Sequence, residues 1–184
     1  GSSHGESRII RLAYAEHPDY VPLLTRAYAL WRELERDAGE QLLVITGGID
    51  AGSASSATIT GSLAACALHA LVHERLDAGE VSRRFPGYRL APDMCAVYQA
   101  DAGLLLPERC VVAHAKRARS HGAEIHTRER ILRWSAEDQG VRVLTDRAEY
   151  RARRLLVTAG AWTRTLVPAL DAVAVPERQV MLWT

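Results

Sequence analysis

Two arginines three residues apart, Arg8 and Arg11, stand in an otherwise apolar stretch with Ile9, Ile10 and Leu12. A planar guanidinium matches a carboxylate or phosphate in two parallel hydrogen bonds. The pair therefore reads either as an anion site or as two surface side chains that lay their stems on apolar neighbours and reach water. His4 precedes them in His4-Gly5-Glu6 and adds a titratable ring at the same end of the chain. Much later, Leu155-Leu156-Val157-Thr158 breaks into Ala159-Gly160-Ala161-Trp162. Small residues after a strand-like run make either a plain strand-to-helix turn or a place where backbone passes close to a flat cofactor.

Other chemistries lack the spacing they need. His69 and His73 lie one helical turn apart, as two metal ligands would, but the acidic residue follows the second as Glu74, which is not the zincin order. They read as solvated helix histidines. Cys66, Cys95 and Cys110 are odd in number, lack metal-type spacing and read as small buried thiols in a reducing compartment. No metal site is expected. The cluster Gly47-Gly48 with Gly52 has the wrong spacing for the G-x-G-x-x-G dinucleotide fingerprint, and neither a P-loop nor a nucleophile elbow is present.

A formal net charge of +1 gives no overall attraction to nucleic acid or anionic membrane, so any anion binding is local. No apolar run reaches the ~20 residues of a membrane span, and a cytoplasmic location is expected. Of 23 basic residues only Lys116 is a lysine, which favours bidentate contacts wherever anions are held. With 184 residues, 48% of them hydrophobic, the chain can bury the core of one domain, or of one domain and part of another.

The elements that position these residues follow from periodicity. Pro18 opens a helix through Tyr20, Leu24, Ala27, Tyr28, Trp31 and Leu34 that Gly39 closes. Leu42-Leu43-Val44-Ile45 reads as a buried strand, with Gly47-Gly48 as a bend. A second helix runs from Ser55-Ser56 through Ile59, Leu63 and Cys66 towards Arg75. Asp77 and Glu80 form a capping box for a short helix that Phe85-Pro86-Gly87 stops. Ala96-Val97-Tyr98-Gln99 is a strand, and Pro107 opens a helix that closes at Gly122. Strands are expected near 123–127, 130–135, 140–145, 148–151 and 153–158, then a short helix near 162–167 and a last strand near 178–183. This mixture is an α/β class with α+β character.

Several segments, in order, carry a resemblance: Ser3-His4-Gly5-Glu6-Ser7-Arg8-Ile9-Ile10-Arg11, Tyr20-Val21-Pro22-Leu23, Glu80-Val81-Ser82-Arg83-Arg84-Phe85-Pro86-Gly87, Gly103-Leu104-Leu105, Leu156-Val157-Thr158-Ala159-Gly160-Ala161-Trp162 and Arg178-Gln179-Val180. Together they resemble the monomeric sarcosine oxidase and N-methyltryptophan oxidase family, FAD-dependent amine oxidases of the D-amino-acid-oxidase-like superfamily. The resemblance implies part of an FAD-binding α/β domain plus part of a substrate domain with a mixed or antiparallel sheet. Residues 1–15 and 103–170 would belong to the former, 16–102 and 171–184 to the latter. It implies that His4 and Arg8 lie beside the flavin as catalytic and cofactor-binding residues, and that Arg11 holds the substrate carboxylate. Ile131, Ala159, Gly160, Ala161 and Trp162 would contact the cofactor.

The implied reaction oxidises the C–N bond of a secondary amine or N-methyl amino acid, with dioxygen as acceptor and hydrogen peroxide as product. A related flavin dehydrogenase and a non-catalytic binding module are the alternatives. The family's glycine fingerprint is absent from the front of the chain, and none of the three cysteines matches the residue that links flavin covalently. The chain thus reads as an internal fragment, inactive and poor in FAD by itself.

Overall fold

A computed structural model of the chain describes residues 5–177 and 180. The chain divides after Gly122 into two units, each with its own sheet structure. The first contains β1 (Arg8–Ile10), α1 (Tyr20–Ala38), β2 (Leu43–Ile45), β3 (Gly48–Ser53), α2 (Ala57–His69), β4 (Glu74–Asp77), α3 (Ala78–Arg84), β5 (Met94–Gln99), β6 (Gly103–Leu105) and α4 (Pro107–Ser120). The second contains β7 (Ile131–Glu137), β8 (Gly140–Thr145), β9 (Glu149–Ala152) and α5 (Thr163–Leu166). Every strand pair is antiparallel, in the orders β1-β6-β2, β3-β5-β4 and β7-β8-β9. Helices mixed with antiparallel sheets agree with the expected class.

Local signals set most element ends. Gly39, in the left-handed region at φ 64°, ends α1 as expected, and its N–H reaches the carbonyl of Glu35. The Glu35 carboxylate then accepts the N–H groups of Leu42 (2.7 Å) and Leu43 (2.8 Å), while Arg32 Nη1 donates to its other oxygen at 2.6 Å. One side chain thus ties the end of α1 to the start of β2. Leu34 and Leu42 pack with Cys110 and Ala113, joining α1 to α4 over an apolar contact that includes Trp31 and Leu105. The box at Asp77 and Glu80 is closed in both directions.

Several expectations change. The second helix stops at His69, with Ala70 left-handed at φ 51°, instead of reaching Arg75. Residues 74–77 pair with β5 instead, because a ladder against Cys95–Tyr98 satisfies backbone groups and buries Leu76 in a cluster with Val81 and Ala96. The Gly47-Gly48 bend is narrower than expected, since Gly48 already belongs to β3. Residues 123–127 and 153–158 form no strand; an extended segment needs a laterally paired neighbour, and none among the described residues pairs with them. The short helix near 162–167 is a 3-10 turn, Gly160–Trp162, running into α5. The strand expected near 178–183 lies largely outside the described residues.

In the second unit, alternation along β8 puts Val141 and Val143 on one face and Arg142 on the other, where it meets Glu137 (3.4 Å) and Glu149 (3.6 Å). The entry to β7 is fixed by reciprocal bonds. Arg130 N–H donates to Asp146 Oδ1 and Asp146 N–H donates to the Arg130 carbonyl, both at 3.0 Å. Beside them Glu129 accepts from Thr145 Oγ1 (2.6 Å) and Tyr150 Oη (2.8 Å), and these bonds hold its carboxyl below the usual range. Among the described residues, no helix is long and apolar enough to cross a membrane and no cluster could hold a metal ion.

Candidate functional site

Each unit brings together one set of candidate residues. In the first, β1 ends at buried Ile10, and the chain bends away into Arg11. The bend is anchored at Ala13, which is fully buried; its N–H donates to Gln99 Oε1 at 2.7 Å, and its carbonyl oxygen lies 3.4 Å from Ser62 Oγ. Helix α2 comes so close to this segment that a Cβ on Gly61 would collide with the carbonyl oxygen of Ala15. The same helix packs Ile59 and Cys66 against Ala13, Cys95 and Val97. The path of residues 11–15 is therefore set by packing on both sides.

Arg11 projects towards β3. Its Nε lies 3.1 Å from Asp50 Oδ2, and its Cζ sits 5.1 Å from the ring centroid of Tyr14. The side chains of Arg11 and Asp50 are 24% and 16% exposed, so solvent screens this ion pair poorly. Ser62 Oγ donates to the same Asp50 oxygen at 3.1 Å. Arg11 Nε is nevertheless buried without a hydrogen bond, because its N–H does not point along the line to Oδ2. Gln99 Nε2 is a second buried donor without a partner. Buried donors normally find acceptors, and leaving one unmet costs about 1–3 kcal/mol.

Arg8 lies on β1 opposite Leu105 and donates from Nη1 to the Ser7 carbonyl at 2.9 Å. Strand alternation sets Arg8 on the face of Ile10, while Ile9 is exposed. His4 lies outside the described residues. The Cys66 thiol is pushed up by burial and then by the nearby Asp50 charge, which fits an unreactive buried cysteine.

In the second unit an apolar cavity of about 200 Å³ is lined by Ile131, Trp134, Val143, Leu166 and residues 155–159. Trp134 Nε1 donates to the Leu166 carbonyl at 2.7 Å, closing β7 onto α5. Two expected cofactor residues, Ile131 and Ala159, thus share one hollow. Gly160, Ala161 and Trp162 follow as the 3-10 turn without lining it, with Gly160 left-handed at φ 55°.

Asp50, Ser62, Gln99, Tyr14 and Trp134 were not singled out from the sequence. For Asp50 a signal existed: a carboxylate amid Gly48-Ile49-Asp50-Ala51-Gly52 is a charge in a strand-like setting that calls for a partner.

The whole chain, residues 1–184, matches the FAD dependent oxidoreductase family. It belongs to that family. The chain is 44% identical over 183 residues to a monomeric sarcosine oxidase of Streptomyces avermitilis, covering 100% of this chain and 48% of that protein. It is 34% identical to an N-methyl-L-tryptophan oxidase of Salmonella dublin, with 100% and 49% covered. Among solved structures, NikD, an unusual amino acid oxidase essential for nikkomycin biosynthesis, superposes with a TM-score of 0.82 at 28% identity, over 92% of this chain and 44% of NikD. This FAD dependent oxidoreductase chain therefore spans about half the length of the curated relatives it matches.

Proposed function

We propose that this chain is the part of an FAD-dependent amine oxidase that holds the carboxylate of a secondary-amine or N-methyl amino acid substrate. Support comes from Arg11: a poorly solvated guanidinium, ion-paired with Asp50 at its buried Nε, whose terminal nitrogens form the opposite edge. Arg11 clamps the substrate carboxylate and so fixes the amine carbon for oxidation. FAD, when bound, supplies the two-electron acceptor. Arg8, with His4, lies beside the flavin and offsets negative charge developed on reduction. Ile131 and Ala159 border an apolar hollow that fits one edge of a flat heteroaromatic group, and Gly160, Ala161 and Trp162 form the adjoining turn.

Residues 1–15 and 103–170 are assigned to the FAD-binding domain; pairing of β1 with β6 supports joining the first segment to the start of the second, with β2 from the substrate segment 16–102 in the same sheet, and residues 171–184 return to the substrate domain. The sequence has no G-x-G-x-x-G loop for the pyrophosphate, so the chain by itself holds FAD weakly. The complete protein acts in the cytoplasm, converts its amine to an imine that hydrolyses, and passes the electrons to dioxygen as hydrogen peroxide.

Steady-state kinetics of the full-length protein test this reading. Arg11→Ala removes a bidentate charged contact and should raise KM for an N-methyl amino acid about 10- to 100-fold. An unchanged KM would refute the role of Arg11. Peroxide formation, followed in the same assay against reduction of a dye, separates an oxidase from a dehydrogenase.

A further inference from the structure

We infer that Asp50 is the resident counter-ion of Arg11, weakening its grip on an incoming carboxylate while leaving the terminal Nη edge of the guanidinium to receive it. The inference rests on the reading of Arg11 as the carboxylate ligand. A guanidinium offers paired donors along two edges, one formed by Nε with an Nη and the other by both Nη groups. Asp50 Oδ2, 3.1 Å from Nε, stands at the first edge.

Asp50 is itself fixed. β3 holds it opposite Val97, and Ser62 Oγ donates to the same oxygen at 3.1 Å. With Asp50 only 16% exposed, its charge is poorly screened, and a second carboxylate approaching Arg11 meets a cation already largely offset. Because the Nε N–H does not point at Oδ2, the attraction is Coulombic, and the terminal Nη edge is left for the incoming carboxylate. Asp50 thus moderates the anion site without closing it. Such moderation has a use: binding that is equally strong in ground and transition states lowers KM without raising the rate of the chemical step.

The test is a titration of the full-length protein with propionate and with its neutral counterpart propionamide, followed by ligand-observed NMR. Asp50→Asn is close in shape, keeps an acceptor for Ser62 and Arg11, and removes only the charge. For charges about 7 Å apart at an effective dielectric of about 40 to 80, Coulomb's law gives propionate binding about three- to sevenfold tighter in the variant. Propionamide binding should not change. Unchanged or weaker propionate binding, or an equal shift for both ligands as a purely structural role would produce, overturns the inference. Asp50→Ser carries the same expectation if the asparagine variant does not fold. Arg11→Ala separates the two layers. If it abolishes the preference for propionate while Asp50→Asn has no effect, only the Asp50 inference fails. If Arg11→Ala binds propionate as the wild type does, the carboxylate reading and the inference fall together.

Discussion

Gly61 shows how a single missing side chain lets α2 approach the backbone just beyond Arg11. In an ordinary helix, glycine to alanine stabilises by about 1 kcal/mol. Here the added methyl meets the Ala15 carbonyl, and backbone cannot swing aside as the end of a long side chain can. Overpacking of that kind costs towards the upper end of about 1–3 kcal/mol, so the clash wins. Gly61→Ala should lower stability by about 1–2 kcal/mol net, measured by chemical denaturation; a stabilised variant would show that residues 11–15 do not pack on α2 as described. At this scale the sequence marked Arg11 as an anion candidate, because guanidinium groups among isoleucines are conspicuous. Asp50 and Gln99 escaped notice because their importance comes from strands that fold back beside residues 11–15. Nothing within a few residues of Asp50 announces which cation it meets.

Elements with local start and stop signals are legible, and so are the strands near 42–45, 96–99, 130–135, 140–145 and 148–151 from their apolar or alternating residues; segments whose state turns on a distant partner are less so. Gly39, the Asp77 and Glu80 box, and Pro107 each acted within one turn, and the helices they bound lie where periodicity put them. β4 was missed because its pairing with β5 is non-local, and residues 153–158 were assigned to a strand on composition although a strand also needs a partner. The tie between α1 and β2 gives a pH test. Burial pushes the Glu35 carboxyl up, but hydrogen bonds from the Leu43 N–H, Arg32 and the Leu42 N–H outweigh it and leave the folded value below the ordinary 4.5. A depressed folded value means that stability from Glu35 is fully present above about pH 4.5 and is lost as pH falls through the folded value. Glu35→Gln should cost about 1–3 kcal/mol at pH 7. The gap between the variant and the wild type should narrow at pH 3.5 in matched denaturation curves. A gap that stays constant would mean that the charge on Glu35 contributes nothing.

Over the whole molecule, the family membership was legible in the order of short segments, each weak alone. Each unit holds one feature used in the proposal: an ion-paired guanidinium in one, an apolar hollow in the other. As proposed above, the protein carrying this chain oxidises an amine that it recognises by its carboxylate. Anaerobic mixing of the full-length flavoprotein with N-methylglycine, and separately with dimethylamine, tests it most directly through the visible absorbance of the flavin. N-methylglycine or a larger N-methyl amino acid is expected to bleach the flavin, and the amine without a carboxylate to bleach it little or not at all. Equal bleaching by both, or none by any N-methyl amino acid, would contradict the proposal.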